Sequence, residues 1–105
     1  MTINLALEYI PQRMEELGYG KRYSIQFRHF ILQPKHRRKI HGNNQIFILI
    51  EPVDAISVNS EIGIFDLTKN NLPELQYEHQ GSIRIRNYSN TVQQIRFIQV
   101  IPKQQ

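Results

Sequence analysis

Gln45-Ile46-Phe47-Ile48-Leu49-Ile50 is the stretch that decides the fold. Five large apolar side chains follow one another without a polar break. Gly42-Asn43-Asn44 precedes them with residues able to take positive φ, and Glu51-Pro52 stops them. A short apolar run between turn signals has the length of a strand rather than a helix. Successive strand side chains point to opposite faces, so this strand is apolar on both. It is therefore a central strand or one held between two layers.

The segments on either side also read as strands. Upstream, Tyr23, Ile25 and Phe27 alternate with Ser24, Gln26 and Arg28, which is period two and marks the former as core candidates. Phe30-Ile31-Leu32 continues apolar on both faces, and Pro34 ends it. Downstream, Ile56 and Val58 share a face, as do Ile62 and Ile64. Lys69-Asn70-Asn71-Leu72-Pro73 is a turn cluster, and Leu75-Gln76-Tyr77-Glu78 is a brief strand candidate before Gly81. Ile83 and Ile85 alternate with Arg84 and Arg86, the clearest half-exposed strand in the chain. Asn87 to Asn90 reads as a turn, and Ile95 to Ile101 is the last strand before Pro102. Six or seven short strands with regular turn signals predict a mainly β protein: one antiparallel β-sandwich, or a small barrel, over residues 1–105. No βαβ alternation calls for a parallel sheet.

Ahead of the strands lies a helical pattern. Ile3, Leu7, Ile10, Met14 and Leu17 are spaced by alternating fours and threes, giving one apolar stripe over about 3–17. Thr2 suits the N-cap and Gly18 the C′ position. Pro11 removes a backbone donor and clashes with the carbonyl of Leu7, so a kink near Pro11, or two helical pieces, is expected. Such a helix either covers the sheet or docks on a neighbouring subunit.

Composition narrows the function classes. At 105 residues one domain is expected. No apolar run approaches the roughly 18 residues that span a bilayer, and the start lacks the pattern of a signal peptide, so no membrane role is expected. There is no cysteine, which rules out disulfides and zinc–thiolate sites. His29, His36, His41 and His79 match no ligand spacing, so no metal or other cofactor is expected. No Gly-x-Ser-x-Gly elbow, phosphate loop or paired catalytic carboxylate occurs, so an enzyme is not expected. Asn87-Tyr88-Ser89 matches a glycosylation sequon but reads as a turn.

What stands out is charge. Residues 1–50 carry eight Lys and Arg against three Glu, and residues 51–105 carry five against six, so the net +4 is one-sided. Lys35-His36-Arg37-Arg38-Lys39-Ile40-His41 concentrates four fixed cations. Clustered cations repel one another, and an anionic partner offsets that repulsion. Between Pro34 and Gly42 the segment reads as a connecting loop, with a charged strand edge as the alternative. It holds no aromatic other than histidine, so it suits phosphate-backbone contact but not base stacking. Arg84, Arg86 and Tyr88 form a second candidate surface, to which Arg96 adds if the last two strands make a hairpin. Arg and Tyr are enriched at protein interfaces.

Four further stretches carry a resemblance. Arg13-Met14-Glu15-Glu16-Leu17-Gly18-Tyr19-Gly20, Arg28-His29-Phe30-Ile31-Leu32-Gln33-Pro34, Leu75-Gln76-Tyr77-Glu78-His79-Gln80-Gly81 and Arg96-Phe97-Ile98-Gln99-Val100-Ile101-Pro102 span most of the chain. Together they resemble small virion proteins of crAss-like bacteriophages, which infect Bacteroidota. The resemblance implies a structural role, as an auxiliary (decoration) capsid protein or the capsid-bound part of a head fibre, made in the host cytoplasm and carried in the virion. The implied partners are major capsid protein or other virion proteins in a large assembly, or further copies of the chain. The expected contacts are Lys35, Arg37, Arg38, Lys39, Arg84, Arg86 and Tyr88. The rival expectation is a small basic nucleic-acid-binding barrel, and a carbohydrate-binding sandwich is a third with less behind it.

Overall fold

The computed structural model describes residues 2–42, 44–50, 54–67 and 78–103. One helix, α1 (Ile3–Glu16), precedes eight strands: β1 (Tyr23–Leu32), β2 (Arg37–Ile40), β3 (Ile46–Ile50), β4 (Ile56–Ser60), β5 (Gly63–Leu67), β6 (Glu78–Gln80), β7 (Ile83–Asn87) and β8 (Gln93–Pro102). Two four-stranded antiparallel sheets result, ordered β1-β8-β3-β6 and β2-β7-β4-β5. They pack face to face as a sandwich. The turn cluster expected at 69–73 and residues 75–77 of the expected brief strand lie outside the described residues.

The apolar run 46–50 is β3, and all five residues are buried. Its two faces meet different layers. Phe47 and Leu49 share a face with Phe97, which is edge-on to both Phe47 and Phe30. His79, opposite Phe47, meets Phe65 of the second sheet, so this face looks into the sandwich. Ile46, Ile48 and Ile50 face the other way with Ile98 and Val100, towards α1. The second sheet contributes Ile40, Ile56, Val58, Leu67, Ile83 and Ile85 to the core. Full burial of each such side chain is worth roughly 1.5–3 kcal/mol.

The helix begins and ends as its sequence directs. Leu5 N donates to Thr2 Oγ1 at 3.2 Å, the N-cap bond. Gly18, at φ 87°, takes the left-handed position, with Gly18 N donating to Glu15 O and Tyr19 N to Met14 O. This is the paired closure that glycine permits at C′. Of the two outcomes expected at Pro11, a kink or two pieces, the second does not occur: α1 runs as one helix through it, with Pro11 on the exposed side. The buried stripe is Ala6, Ile10 and Met14, while Ile3, Leu7 and Leu17 are exposed at its margin. Tyr9 and Arg13 flank the stripe on the β6 side, where both reach Glu78: Tyr9 Oη donates at 2.7 Å and Arg13 Nε at 3.0 Å. The helix therefore covers β3, β6 and β8.

β1 departs from expectation for that reason. Its Ile25, Phe27 and Ile31 were core candidates by alternation or apolar continuity, yet Phe27 is 59% and Ile31 62% exposed. They lie on the α1 side of the sheet, where the helix does not cover them. Ile62 and Ile64, on the β4–β5 hairpin, are likewise exposed.

Candidate functional site

Of the two readings of the basic segment, the charged strand edge is found at 37–40, which corrects the loop expected first. Residues 37–40 pair with β7, opposing Arg37 to Arg86, Arg38 to Ile85, Lys39 to Arg84 and Ile40 to Ile83. Directly opposed residues project on the same face. Ile83 and Ile85 face the core, so Arg84 and Arg86 face solvent together with Arg37 and Lys39. Four cations thus stand on one flat outer face, within a rectangle of about 5 by 7 Å at the backbone. All four are exposed. Among the described residues none has a carboxylate within ion-pair distance, because the ion pairs present involve Arg13 with Glu16 and Glu78. Like charges directly opposite one another destabilise a sheet. Two such pairs side by side, Arg37/Arg86 and Lys39/Arg84, make a surface whose self-repulsion an anion relieves.

The face continues across the sheet and changes character. β4 sets Ser57 beside Arg86 and Asn59 beside Arg84. β5 adds Asp66 beyond Ser57 and Ile64 beyond Asn59. The cations therefore occupy the β2–β7 half, with Asp66 two strands away from Arg86. At the end of the arginine row, Tyr88 is 45% exposed and its ring lies 4.9 Å from the Arg86 guanidinium carbon.

The remaining expected contacts are placed differently. Lys35 adopts a left-handed φ of 63° in the β1–β2 turn, and its Nζ donates to Tyr88 O at 2.5 Å. It thereby pins the turn at the margin of the basic face. Arg38 points to the opposite side of β2 and lies 4.6 Å from the Phe30 ring centre. Arg96 belongs to the other sheet, opposite His29 and Ile50, so the expected hairpin ladder with Arg84 and Arg86 does not form. The turn after Asn87 carries the chain across the sandwich, and β2 rather than β8 becomes the neighbour of β7.

Asn87 fixes this crossover. It is fully buried, and its Nδ2 donates to Leu32 O, Gln33 O and Thr91 O at 3.0, 3.2 and 2.8 Å. Its Oδ1 accepts from Ser89 N and Ser89 Oγ. The side chain ties the β1–β2 turn to the β7–β8 turn, and every polar atom of the amide is engaged. The sequon is thus a buried turn lock, closed to glycosylation in the folded state.

Other polar clusters build structure. His79 is fully enclosed, with Nδ1 2.8 Å from Ser60 Oγ, and joins β6 to the end of β4. Sequence spacing alone does not reveal this Ser–His contact; its imidazole has no exposed edge for a substrate. Burial and the hydrogen bond to Glu78 raise the Tyr9 phenol well above its ordinary value. Glu78 also raises Arg13. Among the described residues no group of three His, Asp or Glu side chains gathers as a metal would require.

Sequence reading identified the basic residues but did not pair them. The missed signal is that Arg37-x-Lys39 has the same period two as Arg84-x-Arg86, the mark of two outward-facing strand rows. No family model matches the chain, and no curated protein or solved structure matches it either.

Proposed function

We propose that this domain is a non-catalytic docking module that binds an acidic protein surface through the outer face of β2 and β7. In the virion setting that the resemblance implies, it is an auxiliary capsid or head-fibre component, and the acidic surface belongs to the capsid shell. The observation that carries the reading is the exposed quartet of Arg37, Lys39, Arg84 and Arg86, without a carboxylate partner among the described residues. The paired strands hold the four positions in register, so docking has side chains to order but not backbone. Complementary charge also steers encounter and suppresses wrong partners.

The test is the double charge reversal Arg37→Glu/Arg86→Glu, followed by co-sedimentation with capsid particles at low and moderate salt. The expected result is a large loss of binding at low salt, with wild-type binding itself weakening as salt rises. Undiminished binding by the variant at both salts would remove the basic face from the function.

One observation favours a second reading. Tyr88 sits exposed beside Arg86, and a cation row with an adjoining aromatic also suits nucleic acid. A single aromatic offers little stacking, so phosphate contact would dominate. Affinity for single- and double-stranded DNA would then fall steeply with salt. Absence of DNA binding near about 50 mM salt would end this reading.

A further inference from the structure

β1, the sheet edge beside β2, presents a second surface, on the opposite side of β2 from the basic face. Among the described residues, three of the four sheet edges are short or charged. β2 has four residues and three cations, β5 has five residues and carries Asp66, and β6 has three residues. Short and charged edges resist pairing with further strands. β1 has none of these protections: it is a ten-residue edge strand without proline, lysine or carboxylate. Its one arginine, Arg28, is drawn over the neighbouring strand, with Nη1 donating to Gln99 Oε1 at 2.9 Å and the guanidinium 5.7 Å from the Phe97 ring centre.

The two sides of this edge differ in chemistry. On the α1 side, Ile25, Phe27 and Ile31 are exposed apolar side chains, with His29 between the last two and Ile3 of the helix beside Phe27. On the sandwich side, Arg28 and Arg38 close the mouth between the sheets, stacked on Phe97 and Phe30. No Asp or Glu occurs between Glu16 and Glu51, so the chain itself brings no carboxylate to β1 or β2 from this region. A strand laid along β1 would alternate its side chains between these apolar residues and the arginines.

We infer that β1 accepts an extended segment of a partner by strand addition, one that alternates apolar with acidic residues. The apolar residues lie on Ile25, Phe27 and Ile31, and the carboxylates meet Arg28 and Arg38. A second copy of the chain fits less well, since it would bring the same arginines to the mouth and no carboxylate.

A synthetic peptide spanning the length of β1 and alternating Asp with Val tests this by fluorescence polarisation against the full chain. Saturable binding is expected, at least about tenfold tighter than for a Lys/Val peptide. Methylating the peptide's backbone nitrogens on the pairing edge should abolish binding, because strand addition uses main-chain hydrogen bonds. Phe27→Lys and Arg38→Glu each alter an exposed side chain, and circular dichroism checks that both variants fold. Each should weaken binding about tenfold, while Ile64→Ser on the far β5 edge should not. No saturation by about 1 mM peptide would overturn the inference, as would equal binding of the methylated peptide. A wild-type dimer that Phe27→Lys dissociates would overturn it in favour of self-pairing.

Discussion

Single side chains carry more of this fold than their number suggests. Asn87 replaces backbone pairing at a point where two turns meet inside the protein. An amide with every donor and acceptor engaged leaves several buried groups orphaned when removed, and each orphan costs about 1–3 kcal/mol. Asn87→Ala is therefore expected to lower unfolding free energy by roughly 3 kcal/mol or more, read as a fall in denaturant midpoint with little change in slope. Gly42 works by absence of a side chain. A Cβ there would stand 2.8 Å from both Gly81 O and the Phe47 ring, one backbone and one fully buried. Gly42→Ala should cost about 1–3 kcal/mol by overpacking, measured in the same experiment. Tyr9 gives a signature in pH. Its phenol is raised in the folded state, so the contribution to stability is complete below the unfolded pKa and is lost as pH rises through the folded one. Ultraviolet titration should show a late phenol ionisation, and Tyr9→Phe should remove that step.

At the scale of elements, the β2–β7 pair sets stability against function. Lys39 opposes Arg84 across the ladder. Arg84→Glu converts a like-charge pair into an opposite-charge one, so the free domain should gain stability, by about 2–4 °C in Tm at low salt. The same change should weaken binding to the acidic surface proposed as its partner. A variant that both melts lower and binds as before would contradict the role assigned to this face. The helix illustrates how an element's reach shapes a surface. Its stripe has the breadth to cover β3 and β8, and the Tyr9–Glu78–Arg13 cluster draws it towards β6. β1 is left bare as a consequence.

For the whole molecule, α1 acts as a third layer. Ile46, Ile48, Ile98 and Val100 depend on it for cover. Deleting residues 2–18 would expose them in one patch beside Ile25 and Phe27, and the truncated chain is expected to aggregate rather than sediment as a monomer.

The division between sequence and structure follows from the range of the forces involved. Periodicity, turn residues and caps act within a few residues, so the strands, the helix limits at Thr2 and Gly18, and the double burial of 46–50 were legible in the chain itself. So was the antiparallel, mainly β class, because many short strands with regular turns have few other ways to bury one core, but the choice of sandwich over small barrel was not. Strand order was not legible, since it depends on contacts between residues far apart in the chain. It was tertiary structure that placed β7 beside β2 rather than β8, turned a presumed loop into an edge strand, and gathered Arg37, Lys39, Arg84 and Arg86 into one face. It also left Phe27 and Ile31 in solvent, because burial depends on where the covering helix ends and not on how apolar the residue is.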